Sequence, residues 1–198
     1  MARVSKGNPN PQDTRDRREA LTEAAERRIA AKGYSALRAR DIAADAGCAL
    51  GAIYLAFEDL DAVIEAVRER TLKRLEENAT QAARAERDAL SALKALARLY
   101  FAFARENPNL WRTLFEHRSK RDVSAEERLA PIFGLIETRL TSLRPTLPPK
   151  ERKLLAHALF GAVHGIVAVG LDEERWGVKV SEVAWQLDAM IEAAAGRA

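Results

Sequence analysis

Apolar positions in this chain recur every three or four residues over most of its length, and no Val/Ile/Thr-rich run alternates as a strand would. The spacing predicts a first helix from residue 13 or 14 to 32, stopped by Gly33, then short helices over 39–46 and 50–57. Asp59 caps a fourth helix with the stripe Leu60, Val63, Ile64, Val67, Thr71 and Leu75. A fifth carries Leu90, Leu93, Leu96, Ala97, Tyr100, Phe103 and Ala104 and ends before Pro108, where a sixth opens through Trp111, Leu114 and Phe115. Ser124 caps a seventh over about 125–143, with Leu129, Ile132, Phe133, Ile136 and Leu140 inward. Pro145, Pro148 and Pro149 break the chain, and helices over 150–171 and 181–195 follow. The fold expected is all-α with about nine helices: an arm over 1–13, a three-helix head over 14–58, and a larger helical domain over 59–198.

One stretch carries more than periodicity. Between Asp41 and Phe57, Ile42, Ala43 and Ala46 give a short helix one apolar face. Gly47 can take the positive φ that stops it, and Ile53 and Ala56 face back from a second helix. Any helical hairpin shares that spacing. The small Ala43 at the crossing, the glycine, and the aromatic exit at Tyr54 and Phe57 favour a helix-turn-helix whose second helix enters a DNA major groove.

With its neighbours the segment resembles the N-terminal domain of the TetR family of bacterial transcription regulators. Ala24, Ala25, Ile29, Lys32, Gly33 and Tyr34 resemble the end of that family's first helix. Asp41, Ile42, Ala43, Ala46, Gly47, Gly51, Ile53, Tyr54 and Phe57 resemble its helix-turn-helix, and Asp61, Val63 and Ile64 the start of its fourth helix. Downstream, the run from Phe101 to Phe115 with Val163-His164-Gly165 is similar to a subgroup whose ligand domain carries a Trp-His-Gly signature, Val163 standing where the Trp would be. The chain departs from the family pattern at Arg28, usually apolar, at Arg38, often a Ser or Thr cap, and at Leu55 and Leu60, often His and Lys.

The resemblance implies a ligand-responsive regulator, most often a repressor, that binds a palindromic double-stranded DNA operator as a homodimer. On that reading Ala49, Leu50, Gly51, Ala52, Tyr54 and Leu55 form the recognition surface, their small and apolar groups suiting thymine methyls better than guanine edges. Arg17, Arg38 and Arg40 hold phosphates. Arg15 and Arg18 are as readily solvated as phosphate-bound.

Charge agrees with this without requiring it. The net charge is +3, and residues 1–50 hold ten basic against seven acidic residues, so the whole excess lies there. A single cysteine, Cys48, excludes an intrachain disulfide and suits a reducing compartment. No apolar signal segment opens the chain, so the expected location is cytoplasmic, on the bacterial nucleoid, with no membrane partner. No nucleophile elbow or phosphate-cradling glycine loop is present, and the three histidines and one cysteine lack zinc spacing. An enzyme, a metal and a cofactor are therefore not expected.

Two further surfaces are expected. The eighth helix is apolar on nearly every side, which reads as a buried helix rather than a membrane span. Ala158, Gly161, Ala162 and Gly165, with Val183, Leu187 and Ile191 on the ninth, are expected to form a two-fold four-helix contact. Tyr100, Phe103, Trp111, Phe115 and Phe133, with His164 as polar group, read either as core or as the wall of a pocket for an unknown small-molecule effector. Arg112 and His117 are further candidates for its polar groups, and Trp176 for its lid or cap. A second reading stays open: a helical small-molecule-binding protein that has lost specific operator binding.

Overall fold

The structure is a computed structural model that describes residues 11–119 and 124–195. Eleven α-helices and one short 3-10 turn account for most of these residues, and no strand occurs among them. The helices are α1 (Pro11–Lys32), α2 (Ala39–Asp45), α3 (Gly51–Ala56), α4 (Leu60–Ala85), α5 (Ala89–Glu106), α6 (Pro108–Glu116), α7 (Ala125–Arg128), α8 (Ala130–Leu143), α9 (Pro149–Gly170), α10 (Glu173–Trp176) and α11 (Val180–Ala194). They divide into two units, one drawn from Met1–Thr71 and Asn109–Lys120, the other from Leu72–Pro108 and Arg121–Ala198.

In the first unit, Gly33 (φ 76°) ends α1 and donates its N–H to the Ile29 carbonyl at 2.8 Å. Gly47 (φ 65°) ends α2, and the Cys48 N–H closes the turn on the Ala43 carbonyl at 2.8 Å. Asp59 caps α4, its Oδ1 accepting from the Ala62 N–H at 2.8 Å. The core is drawn from Leu21, Ala25 and Ile29 of α1, Ile42 and Ala43 of α2, Ile53 of α3, and Val63 and Val67 of α4, all buried.

Arg28, at a position usually apolar in the pattern above, clamps α1 to α2. Its Nε and Nη2 donate to Asp45 at 2.6 and 2.8 Å, and Nη1 lies 3.2 Å from Asp41. Arg70 reaches from α4 to Glu19, Glu23 and Glu26 of α1. From α6, Asn109 Nδ2 donates to the Ala30 carbonyl at 2.9 Å, and the buried Arg68 donates to the Leu114 carbonyl at 3.0 Å.

In the second unit α5, α8, α9 and α11 pack on one another. Asp88 caps α5 by accepting from the Leu90 and Ser91 N–H groups at 3.0 and 2.9 Å. Val183, Leu187 and Ile191 of α11 are fully or almost fully buried, and α11 packs on α5 and α9. At Gly170 the helices meet so closely that a Cβ would lie 2.4 Å from Val183 Cγ2.

Three boundaries differ from the sequence expectation. Residues 11–13 belong to α1 rather than to an arm, while residues 1–10 of that arm lie outside the described residues. The single helix expected over 125–143 is two, parted at Leu129, because Pro131 has no N–H to continue a preceding helix. The loop after Asp172 holds the one-turn α10, capped by Asp172 and stopped by Gly177 (φ 68°). Splitting one helix and adding another turns the expected nine into eleven among the described residues.

Candidate nucleic-acid interface and aromatic site

α3 is a short helix held from behind. Ile53 is fully buried, and Phe57, just past the helix end, is buried beside it in sequence. Arg18 of α1 secures that end: its Nη1 donates to the Ala56 carbonyl at 2.6 Å, and its guanidinium lies 4.0 Å from the Phe57 ring centroid. Arg18 is thus a positioning residue for α3. The sequence offered no signal for this, because the partners are 38 residues apart.

The opposite side of α3 is bare. Leu50 is 43% exposed, Tyr54 59% and Leu55 79%, with Ala49 and Gly51 exposed and Ala52 half-buried. A Cβ on Gly51 would meet nothing within 4 Å, so the fold itself does not require glycine there. On α2, Arg40 is exposed. Arg38 opens that helix without a side-chain cap, its exposed guanidinium donating to the Ser35 and Leu37 carbonyls at 3.1 and 2.8 Å. Arg17 is half-buried on α1. Cys48 is half-buried in the turn, its thiol 3.4 Å from the Ala46 carbonyl oxygen.

In the second unit an aromatic patch is organised on α9 by His157, Phe160 and His164, one helical face at spacings of three and four. Phe133 of α8 stacks on His157 at 4.1 Å and meets Phe160 edge-on at 5.4 Å. Tyr100 of α5 lies 5.9 Å from the Phe160 ring and shares a 2.7 Å hydrogen bond with His164 Nδ1. Burial lowers the His164 pKa below its ordinary 6.5, so the ring is neutral near pH 7. Phe160 was not expected at this site, although the face it shares with His157 and His164 was readable in the spacing.

The aromatic set expected at one pocket does not form within one unit. Tyr100, Phe103, Phe133 and His164 belong to the second unit, and Trp111 and Phe115, paired at 5.6 Å, to the first. The physical cause is α6: Leu110, Trp111, Thr113 and Leu114 are all buried, and side-chain bonds to Ala30 and from Arg68 fasten this helix to α1 and α4. His117 also lies in the first unit, 2.8 Å from Asp61 and edge-on to Tyr34, and Ser119 donates to the same carboxylate at 2.5 Å. Burial pushes the Asp61 carboxyl up, but the bonds from Ser119 and His117 outweigh it and hold it below the usual range. Arg112 is exposed, and so is Trp176, under the guanidinium of Arg175.

The expected two-fold contact divides in two. Ala158, Gly161, Ala162 and Gly165 form one exposed face of α9, with Leu154 exposed on the same side. Val183, Leu187 and Ile191 are instead internal, because α11 turns its apolar stripe onto α5 and α9. Its flank carries Asp188 and Glu192, ion-paired with Arg98 and Lys94 of α5, and its outward side carries Trp185, 73% exposed. α9 is long and apolar enough to cross a membrane by length and composition, and 28% of that apolar window is buried within this chain. Within the single chain one side of this helix is left uncovered, the side on which the second copy is expected.

Two family models match this chain. The family described as bacterial regulatory proteins, tetR family, matches residues 21–67, and the tetracyclin repressor-like C-terminal domain matches residues 93–194. The nucleoid occlusion factor SlmA of Vibrio vulnificus is 27% identical over 76% of this chain and 81% of its own. Among solved structures, a tetR-family transcriptional regulator from Streptomyces coelicolor superposes with a TM-score of 0.72 at 18% identity, covering 91% of this chain and 80% of that one. The regulator FadR from Bacillus subtilis, solved in complex with stearoyl-CoA, gives 0.67 at 18% identity over 90% and 97%.

Proposed function

Because the chain belongs to the TetR family of bacterial regulatory proteins, and so is a ligand-responsive DNA-binding transcription regulator rather than an enzyme, we propose that it acts as a homodimeric repressor on a palindromic operator. The observation that carries this reading is the uncovered face of α3, where Leu50, Tyr54 and Leu55 stand out from a helix anchored behind by Ile53 and Arg18. In a helix-turn-helix that face meets the major groove, while Arg38, Arg40 and Arg17 supply cations for the flanking phosphates.

The second copy covers the Leu154–Ala158–Gly161–Ala162–Gly165 face of α9, where small residues permit close helix approach. Trp185 of α11 joins that contact, whereas Val183, Leu187 and Ile191 support it from within. The effector is a small, largely apolar molecule received at the Tyr100, Phe133, Phe160 and His164 patch, with the Tyr100–His164 pair supplying its polar contact. The signal passes along α4, whose residues are divided between the two units. Such a ligand alters operator affinity only by binding the two states of the dimer unequally. The place of action is the cytoplasm, on the nucleoid.

Retardation of fragments of the upstream DNA of its own gene tests this function. A palindrome bound in preference to a scrambled duplex, and released by an apolar ligand, is expected. A duplex bound only as a single half-site, with no gain from the palindrome, overturns the homodimer reading.

A further inference from the structure

The chemistry of the α3 surface restricts which bases it can read. In helical projection Gly51 sits at the middle of the outward face, flanked by Leu50, Tyr54 and Leu55, with Ile53 turned to the core. Among these outward side chains only Tyr54 ends in a hydrogen-bonding atom. No Arg, Lys, Asn or Gln is present between Asp41 and Phe57, so α3 lacks the groups that pair with guanine O6/N7 or adenine N6/N7. Of the groups that base pairs expose in the major groove, the thymine C5-methyl is the apolar one. The two leucines are the large apolar side chains on this face, at 43% and 79% exposure.

From this surface we infer that Leu50 and Leu55 are specificity-determining residues that read thymine methyl groups, with bare Gly51 letting the helix axis come close to the base edges. The inference rests on the DNA-binding function and adds its code: α3 selects thymine at the positions it touches and selects no guanine. Sequence-independent hold comes from the arginines of α2 and α1, so affinity and specificity reside in different residues.

The test begins by selecting bound duplexes from a random pool with the full chain. Each thymine of the enriched site is then replaced singly by deoxyuridine, which removes the C5-methyl and keeps O4 and the base pairing. Affinity is read by fluorescence anisotropy at one fixed salt concentration. At each contacted thymine the expected loss is about fourfold, corresponding to the ~0.8 kcal/mol of one buried methylene-sized group.

Leu55→Ala and Leu50→Ala should each bind thymine and uracil equally at its own position. Both side chains are exposed, so circular dichroism and melting should match the parent chain. Specific binding that tolerates uracil everywhere overturns the inference and leaves the regulator function standing. Uracil sensitivity that persists unchanged in both alanine variants overturns it as well, since the methyl would then act through duplex shape. If no sequence is enriched, operator recognition itself fails together with the inference.

Discussion

Arg18 and Arg40 carry the same charge in the same unit, but Arg18 has its guanidinium on the Ala56 carbonyl and the Phe57 ring, whereas Arg40 stands exposed on α2. Replacing Arg40 with Ala should weaken binding to every duplex alike. It should also flatten the dependence of log K on log salt by about 0.9, the share of one phosphate that is no longer neutralised, measured by anisotropy across a salt series. An unchanged slope would take Arg40 out of the interface. His164 makes a second residue-scale prediction. Its folded pKa lies below 6.5, so the neutral ring contributes stability that is complete above pH 6.5 and is lost as pH falls through the folded value. Urea midpoints should therefore fall with pH below 6.5, before the carboxylates titrate, and His164→Asn should show a shallower fall over that interval.

Helix α9 has two kinds of glycine. Gly170 touches Val183 so closely that a methyl group cannot be placed without moving α11, whereas a Cβ on Gly161 or Gly165 meets nothing within 4 Å. Gly170→Ala should therefore cost about 1–3 kcal/mol of unfolding free energy through overpacking. Gly161→Ala, in open space on the same helix, should instead raise the stability of the single chain by up to ~1 kcal/mol through helix propensity. Chemical denaturation of both variants at low protein concentration checks the pair. Equal effects would mean that the α9–α11 crossing is looser than the Val183 contact indicates.

For the whole molecule the open question is what covers the small-residue face of α9. Gly165 is exposed in the single chain, so Gly165→Glu should leave each chain folded. In a dimer it forces unpaired charge into a contact, at a cost of several kcal/mol. Sedimentation should show the parent chain as a dimer at micromolar concentration and the variant as a monomer. Two half-sites ~34 Å apart, or a multiple of that, can be held only by two heads, so the variant should lose its preference for the palindrome while keeping its helical content. A parent chain that sediments as a monomer would sink both the two-fold contact and the palindromic operator.

The helices, their glycine stops at Gly33 and Gly47 and the Asp59 cap were legible in the sequence, because each depends on residues within a turn or two. The helix-turn-helix was legible for the same reason: Ile42, Ala43, Gly47 and Ile53 lie within twelve positions. Pro131 was a local signal too, and its break in the helix could have been read. Other features depend on partners far away along the chain. Nothing near Trp111 says that α6 joins the unit of α1, a choice made through Ala30 and Arg68. Arg28 looked like a misplaced charge until Asp41 and Asp45 were brought beside it. The stripe Val183–Leu187–Ile191 has the period of any buried face, and only packing on α5 and α9 made it internal and left Trp185 outside. Periodicity tells a helix which side to bury, but the surface that receives it is assembled by long-range contacts that no local pattern contains.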